Sequence, residues 1–410
     1  MRIQAILIGF CFNALIESFA GFGAPIAITA AMMIALGIKP MRAVTVSLVS
    51  NVSVAAFGPM SIPITIAGSM TSLDPARIGG LVALQIGVLA IGFPLLQCAI
   101  LDGWRGVKEL WWYALAIGIA WSLAANLTVR FVSYELTCLL ASLVSLAVAV
   151  LLLRPWRTPA VLSRVDATLA LLPYIFVVAV FAVANIVVNK PLNALTVTFN
   201  WPLVATRILH SQPVFSLNWA TTPGTLLFVA GLLTVAVYRR WPKHTDSTTA
   251  SLTWQSAFAQ LGSGAARLWV TALTICTVMG LAYVMNYSGQ TGAIGTVLSL
   301  TGPFAIILSP VLGFIGTAVT GSTGSSNALF ASMQVAAATA VEADPLLFVA
   351  ASTSGAVVGK IISPELLAVT AAVINHRGAE QEILKTVTPY AVGILVVVCL
   401  YVFAQQVLFY

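Results

Sequence analysis

Apolar stretches close to the length of a membrane span recur along this chain and restrict it to one class of fold. They cover residues 8–38, 78–101, 110–129, 136–153, 167–188, 222–237, 268–285, 293–319, 325–340, 346–373 and 390–408. A helix needs ~20 consecutive apolar residues to cross a bilayer, so the shortest stretches are candidates for half-helices. The expected fold is an all-α, polytopic integral membrane protein with about ten or eleven membrane elements.

Composition and charge agree with a membrane protein and argue against a nucleic-acid partner. Hydrophobic residues make up 60% of the chain, charged residues only 8%, and the mean hydropathy is +1.00. The net charge of +7 comes from basic residues that are dispersed among predicted loops and form no single basic surface. The expected surroundings are therefore a lipid bilayer.

The basic loops also predict how the chain is oriented. If the interrupted stretch 44–67 crosses the membrane, even numbers of crossings separate the clusters, so all of them can lie on one side. The positive-inside rule makes that side the cytoplasm, and the C-terminus is then expected outside. The clusters are Lys39/Arg42, Arg105/Lys108, Arg154/Arg157/Arg164, Arg239/Arg240/Lys243 and Arg377/Lys385.

Glycine and proline interrupt the apolar pattern at two places in each half of the chain. The first half has Gly21-Phe-Gly-Ala-Pro25 and then Phe57-Gly-Pro59; the second has Gly321-Ser-Thr-Gly-Ser-Ser-Asn327 and then Gly359-Lys-Ile-Ile-Ser-Pro364. Paired interruptions at similar spacing predict discontinuous helices related by an inverted repeat, an arrangement typical of secondary transporters. The predicted organisation is a first repeat-like half (1–165, with the AGFGAP break), connecting helices and loops (166–253), and a second repeat-like half (254–410, with the GSTGSSN break).

Each break creates helix termini with free backbone groups at membrane depth. Pro25 suits the first turn of a helix, while Gly21 and Gly23 permit conformations that a Cβ forbids. In the second half, Ser325, Ser326 or Asn327 can cap the following helix. Two facing helix N-termini would hold a small carboxylate, with hydroxyl groups left for a substrate OH. The alternative is a pair of glycine-mediated helix contacts.

Two ionisable residues fall inside these interrupted segments. Glu17 is the candidate for proton coupling, because a carboxyl within a span is costly unless it pairs or titrates; a protonated structural Glu is the alternative. Lys360 could pair with a substrate carboxylate or with Glu17, or its ammonium could reach the membrane interface. Polar residues at these breaks also bridge helices in many bundles. The predicted substrate-binding set is Gly21, Gly23, Asn51, Ser322, Ser325, Ser326, Asn327, Lys360 and Ser363.

These segments together resemble the bacterial L-lactate permease family over nearly the whole chain. The resemblance rests on Ala14-Leu-Ile-Glu17-Ser-Phe-Ala-Gly-Phe-Gly-Ala-Pro25, Ser50-Asn51, Asp102-Gly-Trp-Arg-Gly106, Asn286-Tyr-Ser-Gly289, Ser325-Ser-Asn-Ala-Leu-Phe330 and Gly359-Lys-Ile-Ile-Ser-Pro364, in that order. The resemblance implies a symporter of the cytoplasmic (inner) membrane that takes up L-lactate, and often glycolate and D-lactate, using the proton gradient. It implies no cofactor, and the oligomeric state is left open.

Three departures from the family pattern affect what is expected of this chain. Ser18-Phe19 adds bulk beside Glu17, where the family has Gly-Ala. Thr323-Gly324 stands where the family has Asp-Thr, so an acid is absent. The chain also begins partway into the family pattern, without its N-terminal helices. The alternatives are a truncated inactive remnant, or a transporter of a different organic anion with altered ion coupling.

Other functional classes are less well supported by the residues. A membrane enzyme would need a nucleophile with its base, paired carboxylates or metal ligands at membrane depth. The chain has no HExxH or GxSxG motif, and His210, His244 and His376 fall in predicted loops, so no metal site is expected. A channel would be expected to show a repeated pore-lining ring.

Overall fold

The computed structural model of the chain contains two packed units. One unit comprises Met1–Trp156 with Val278–Tyr410, and the other comprises Arg157–Thr277. The structure describes residues 2–21, 23–152, 164–184, 195–200, 214–217, 219–240, 253–374 and 379–409.

The first unit begins with six helices. The first, α1, consists of three consecutive helical segments, Arg2–Ile6, a π-helical stretch Leu7–Phe12, and Asn13–Glu17. It is followed by α2 (Ala24–Ala35), α3 (Pro40–Asn51), α4 (Ile62–Thr71), α5 (Pro75–Phe131) and α6 (Thr137–Leu152). Non-helical backbone at Asp102 and Gly103 divides α5 into two halves.

The second unit carries helices and one short antiparallel hairpin. Its elements are α7 (Arg164–Ala182), β1 (Val197–Asn200), β2 (Val214–Leu217) and α8 (Pro223–Arg240), followed by the start of α9 (Trp254–Tyr287). Val197 pairs with Leu217, and Asn200 with Val214.

The first unit resumes at the end of α9 and continues to the C-terminus. Its helices are α10 (Gln290–Ser299), α11 (Ala305–Thr320), α12 (Thr323–Ala340), α13 (Pro345–Gly359), α14 (Pro364–Ile374) and α15 (Ala379–Phe409). Short 3-10 turns precede α11 (Gly302–Phe304) and join α13 to α14 (Lys360–Ile362).

The predicted all-α, polytopic membrane fold is confirmed. Among the described residues, the helical segments Pro75–Phe131, Pro345–Ile374 and Ala379–Leu408 are long and apolar enough to cross a membrane. Shorter apolar helices accompany them, including Ala24–Ala35, Ile62–Thr71 and Ala305–Thr320. These shorter helices are the half-helices that the interrupted apolar stretches indicate.

Two helix pairs fold back on themselves to form hairpins. Arg2, at the start of α1, and Lys39, just after α2, line the same cavity. The first helix therefore begins on the side where the second one ends. In the second pair, Ser309 of α11 donates to Gln334 of α12 at 2.6 Å, so these helices are antiparallel. We call α1–α2 the first hairpin, with its tip near Gly21 and Gly23, and α11–α12 the second hairpin, with its tip at 321–322.

A helix with an interruption follows each hairpin. The chain breaks between α3 and α4 at residues 52–61, the first break, and between α13 and α14 at residues 360–363, the second break. Met60 and Ser61 adopt positive φ values of 49° and 57° at the first break. These two left-handed residues directly precede α4, so the helix that ends at Asn51 restarts only at Ile62-Pro63.

Glycines allow α11 and α13 to pack backbone against backbone. A Cβ on Gly313 would lie 1.9 Å from the Ser352 carbonyl oxygen, and one on Gly355 would lie 1.9 Å from that of Pro310. Small residues at a membrane helix interface permit this approach. The second hairpin is therefore fixed tightly to the helix that carries the second break.

Charged residues from separate segments meet at the end of the first hairpin. Arg2 forms ion pairs with Asp102 and Glu109, and Arg42 donates to the carbonyl oxygen of Leu101. A cavity of about 140 Å³ lies among Arg2, Lys39, Arg42 and Asp102. The basic clusters near residues 39–42 and 105–108 therefore lie on the same side, as their spacing predicts.

Candidate functional site

Glu17 and Lys360 form a buried ion pair in the first unit. Glu17 ends α1 at the tip of the first hairpin and is 1% exposed, while Lys360 begins the second break and is 8% exposed. The Lys360 Nζ donates to Glu17 Oε1 at 2.8 Å. Of the roles considered for Lys360, the structure shows the pairing with Glu17.

The second carboxylate oxygen of Glu17 begins a chain of buried amides. Asn51, at the end of α3, donates to Glu17 Oε2 at 2.9 Å and to Asn13 Oδ1 at 3.0 Å. Asn13 in turn donates to the carbonyl oxygen of Ser47 at 3.2 Å. Within the described part of the chain, Asn51 Oδ1 is buried and has no hydrogen-bond donor.

Sequence reasoning missed Asn13, although a signal for it was present. It lies four residues before Glu17 on the same helix and therefore on the same face. A buried Asn one turn from a buried carboxyl could have been added to the site on that ground.

Glycines at the first hairpin and the first break make room for Glu17. A Cβ on Gly58 would lie 2.7 Å from Glu17 Cγ and 2.8 Å from Oε1, and one on Gly21 would lie 2.9 Å from the ring of Pro59. Gly23 has φ of 83° and directly precedes α2, whose second residue is Pro25. Gly21 and Gly23 are thus needed for close approach and for a left-handed conformation, as predicted.

The N-terminus of α12 forms the second polar part of the site. Ser322 has extended backbone, and its side chain accepts from the Ser325 backbone N–H at 3.3 Å, so Ser322 is the helix cap. The prediction that Ser325, Ser326 or Asn327 caps this helix was therefore wrong, because the helix begins earlier, at Thr323. The hydroxyls of Thr323 and Ser325 are buried and find no partner among the residues described.

Three other predicted residues are already engaged by neighbouring protein groups. Ser326 donates to the carbonyl oxygen of Gly313 at 3.1 Å, and Ser363 donates to that of Lys360 at 3.0 Å. Asn327 donates to the carbonyl oxygen of Pro63 at 2.9 Å and accepts from Thr353 at 3.2 Å. The Asn327 bonds hold α12 against α4 and α13, the Ser326 bond holds α12 against α11, and the Ser363 bond lies within the second break, so the three residues contribute to the structure of the site.

The two hairpin tips meet on the first turn of α14. A Cβ on Gly23 would lie 3.0 Å from Leu366 Cδ2, and one on Gly321 would lie 2.7 Å from Glu365 Oε2. The start of α4 contacts the second hairpin as well, through the bond of Asn327 to Pro63. Both tips and both breaks therefore meet in one candidate site, in which Glu17 and Lys360 compensate each other and Glu365 adds a further acid.

The polar groups gathered here can bind an anion and exchange charge. Within the described ranges, no group of three or more His, Cys, Asp or Glu side chains is arranged to hold a metal ion. His210, His244 and His376 lie outside the described residues. The polar groups at hand are a buried cation, its carboxylate partner, hydroxyls and helix amides.

The chain matches the L-lactate permease family over residues 1–409. The chain belongs to the L-lactate permease family. Membership in this family of transporters, together with the apolar helices, makes the chain a multi-pass membrane transport protein and not an enzyme.

Curated relatives of this L-lactate permease family member include two kinds of permease. It is 34% identical to the L-lactate permease of Escherichia coli K12 over 94% of this chain and 74% of the relative. It is 32% identical to the glycolate permease GlcA of the same strain, over 98% and 79% of the two chains. Identity to the L-lactate permease of Bacillus subtilis 168 is 30% over 100% of this chain and 79% of that protein.

Proposed function

We propose that this chain takes up L-lactate and related 2-hydroxymonocarboxylates, glycolate and D-lactate, by proton symport across the cytoplasmic membrane. The observation that carries the proposal is the buried Glu17–Lys360 pair where the two hairpin tips meet. Relatives named for L-lactate and for glycolate support this substrate class. Buried ionisable residues in membrane proteins commonly mark ion pathways, which supports the coupling.

Charge balance gives the proposed coupling. Glu17 neutralises Lys360, so a second carboxylate that approaches Lys360 competes with Glu17 for one cation. A proton on Glu17 removes that competition and leaves Lys360 to balance the substrate. Return of the carrier without substrate then requires Glu17 to lose its proton and pair with Lys360 again. In this cycle Glu17 carries one proton with each anion.

The same site has hydrogen-bonding groups for the carboxylate and the 2-hydroxyl of the substrate. In the proposed mode, the helix ends after Gly23 and Gly321 surround the carboxylate. The hydroxyl of Ser325, which has no partner among the residues described, donates to it. Asn327 and neighbouring hydroxyls orient the 2-hydroxyl. The amide oxygen of Asn51 is a buried acceptor that the 2-hydroxyl can also use.

We further propose that residues 1–165 and 254–410 are repeat-related halves joined by 166–253. Each half has a hairpin followed by an interrupted helix. The contacts are reciprocal: α2 of the first half packs against α14 of the second, and α12 of the second packs against α4 of the first. A two-fold relation between the halves accounts for both contacts at once.

Uptake of labelled L-lactate into proteoliposomes containing this 410-residue chain tests the proposal. An inward proton gradient is expected to drive accumulation that a protonophore abolishes, whereas a sodium gradient alone is expected to have no effect. Sodium-driven uptake would replace the proton in the proposal. Folded protein that moves neither lactate nor glycolate under either gradient would contradict it.

A further inference from the structure

Glu365 lies where the proposed site receives an anion. It belongs to the first turn of α14, is half-buried, and its Oε2 is 2.7 Å from the position that a Cβ on Gly321 would occupy. Gly321 and Ser322 form the tip of the second hairpin, immediately before the N-terminus of α12. The carboxylate therefore packs against the same tip that carries the anion-binding groups.

The α12 N-terminus offers donors without acceptors. The N–H groups in the first turn of a helix have no acceptor inside that helix. Here the side chain of Ser322 accepts only from the backbone N–H of Ser325. The Thr323 and Ser325 side chains are 4% and 2% exposed, and over the described ranges their hydroxyls have no partner. These donors and the helix dipole favour a negative group at this place.

Among the described residues, Glu365 has no dedicated cation of its own. Within the part of the chain that the structure describes, it has no hydrogen bond or ion pair, and Lys360 interacts with it only at longer range while bonding Glu17. The helix α2, which packs against α14, carries no titratable residue, and α3 carries Arg42 at its far end. On α15, which also packs against α14, the charged residues Glu380, Glu382 and Lys385 cluster near its start, and Tyr390, Cys399 and Tyr401 lie further along.

We infer that Glu365 competes with the substrate carboxylate for the α12 N-terminus. When charged, Glu365 occupies the positive field of that helix end; when protonated, it leaves the field to the substrate. The inference rests on the proposed function and identifies a second acid that controls the affinity of the site. Since a helix N-terminus accommodates one carboxylate far better than two, charged Glu365 weakens binding of the anion. By linkage, binding of the anion takes up a proton at Glu365.

Binding of L-lactate to purified protein at several pH values tests this inference. In Glu365→Gln, which keeps the size of the side chain and removes its charge, the Kd is expected to be lower at pH 8 and to keep only the pH dependence that Glu17 contributes. In the wild type, the Kd is expected to rise more steeply with pH than in Glu365→Gln, by up to about tenfold more per pH unit once Glu365 is charged. Glu365→Ala serves as a second variant if the Gln variant does not fold.

The exposed acid Glu382 on α15 provides the matched control. Glu382→Gln removes one negative charge from a neighbouring helix and is expected to keep the wild-type dependence of Kd on pH. A wild type that binds lactate with the same pH dependence as Glu365→Gln would overturn this inference alone. A wild type that binds neither lactate nor glycolate would overturn the proposed function, and the inference with it.

Discussion

Glu17 and Lys360 are buried, and each is the charged partner of the other. The pair is short, at 2.8 Å, and the side chains of Glu17 and Lys360 are 1% and 11% exposed. Removing two charges from water is expensive, and their attraction offsets that cost only while both are present. The pair therefore makes each charge dependent on the other for stability as well as for the proposed transport.

The first prediction follows from this dependence. Glu17→Gln or Lys360→Met alone leaves one buried charge without its partner and is expected to destabilise the protein by about 3–5 kcal/mol. The double variant removes both charges and is expected to regain most of that loss. Melting of the four proteins in one detergent measures the effect, and single variants as stable as the wild type would contradict it.

Sequence identified both members of this pair but not their contact. Glu17 and Lys360 stand out because ionisable residues are rare within apolar stretches, which is a local property. They lie 343 residues apart along the chain, and only the packing of the first hairpin against the second break brings them together. Asn13 was missed although its position one helical turn before Glu17 puts it on the same face of the helix.

At the level of elements, the breaks could be predicted, whereas the direction of the chain after each break could not. Gly23 and Pro25 mark the interruption of the stretch 8–38 correctly. That the chain turns back there, so that Arg2 and Lys39 lie together, depends on packing between α1 and α2. The α12 cap was misassigned since Ser322, Ser325, Ser326 and Asn327 are all good cap residues, and only the backbone selects one.

The second prediction concerns the contact between α11 and α13. A Cβ on Gly355 would lie 1.9 Å from the carbonyl oxygen of Pro310, which is backbone and cannot move aside cheaply. Gly355→Ala is therefore expected to separate the two helices and to cost at least 1–3 kcal/mol, the usual range for overpacking.

Gly393 on α15 is the matched control for this substitution. It lies within a helix, and a Cβ there would meet nothing within 4 Å. Gly393→Ala is expected to leave stability unchanged or slightly improved, because Ala favours helix more than Gly does. Gel filtration of detergent extracts and melting temperatures compare the two, and equal behaviour would contradict the close packing.

At the scale of the whole molecule, the connections between helices place the bases of the two hairpins at opposite ends of the first half of α5. The first half of α5 runs from Pro75 to Asp102, which pairs with Arg2 at the base of the first hairpin. Before it, α4 runs alongside α12, since Asn327 bonds Pro63 and Ser332 bonds the carbonyl oxygen of Met70. The base of the second hairpin, near Glu342, therefore lies towards the start of α5, away from Arg105.

The third prediction is the orientation of the molecule. Arg105 and Glu342 are both exposed, so cysteines introduced there are accessible to reagents. With the basic loops in the cytoplasm, Arg105→Cys is expected to react with a membrane-impermeant thiol reagent only after the membrane is opened. Glu342→Cys is expected to react in intact cells, with a chain lacking both substitutions as background. Labelling of both from one side would contradict this topology.

The measurement that tests the central claim most directly separates exchange from net uptake in Glu17→Gln proteoliposomes. A neutral Glu17 resembles its protonated form, so labelled lactate is expected to exchange with lactate inside the vesicles at close to the wild-type rate. Accumulation driven by a proton gradient is expected to fall at least tenfold, because the return step requires Glu17 to lose a proton and pair with Lys360. A tenfold fall corresponds to about 1.4 kcal/mol. Glu382→Gln controls for loss of charge. Undiminished proton-driven accumulation in Glu17→Gln would contradict the account.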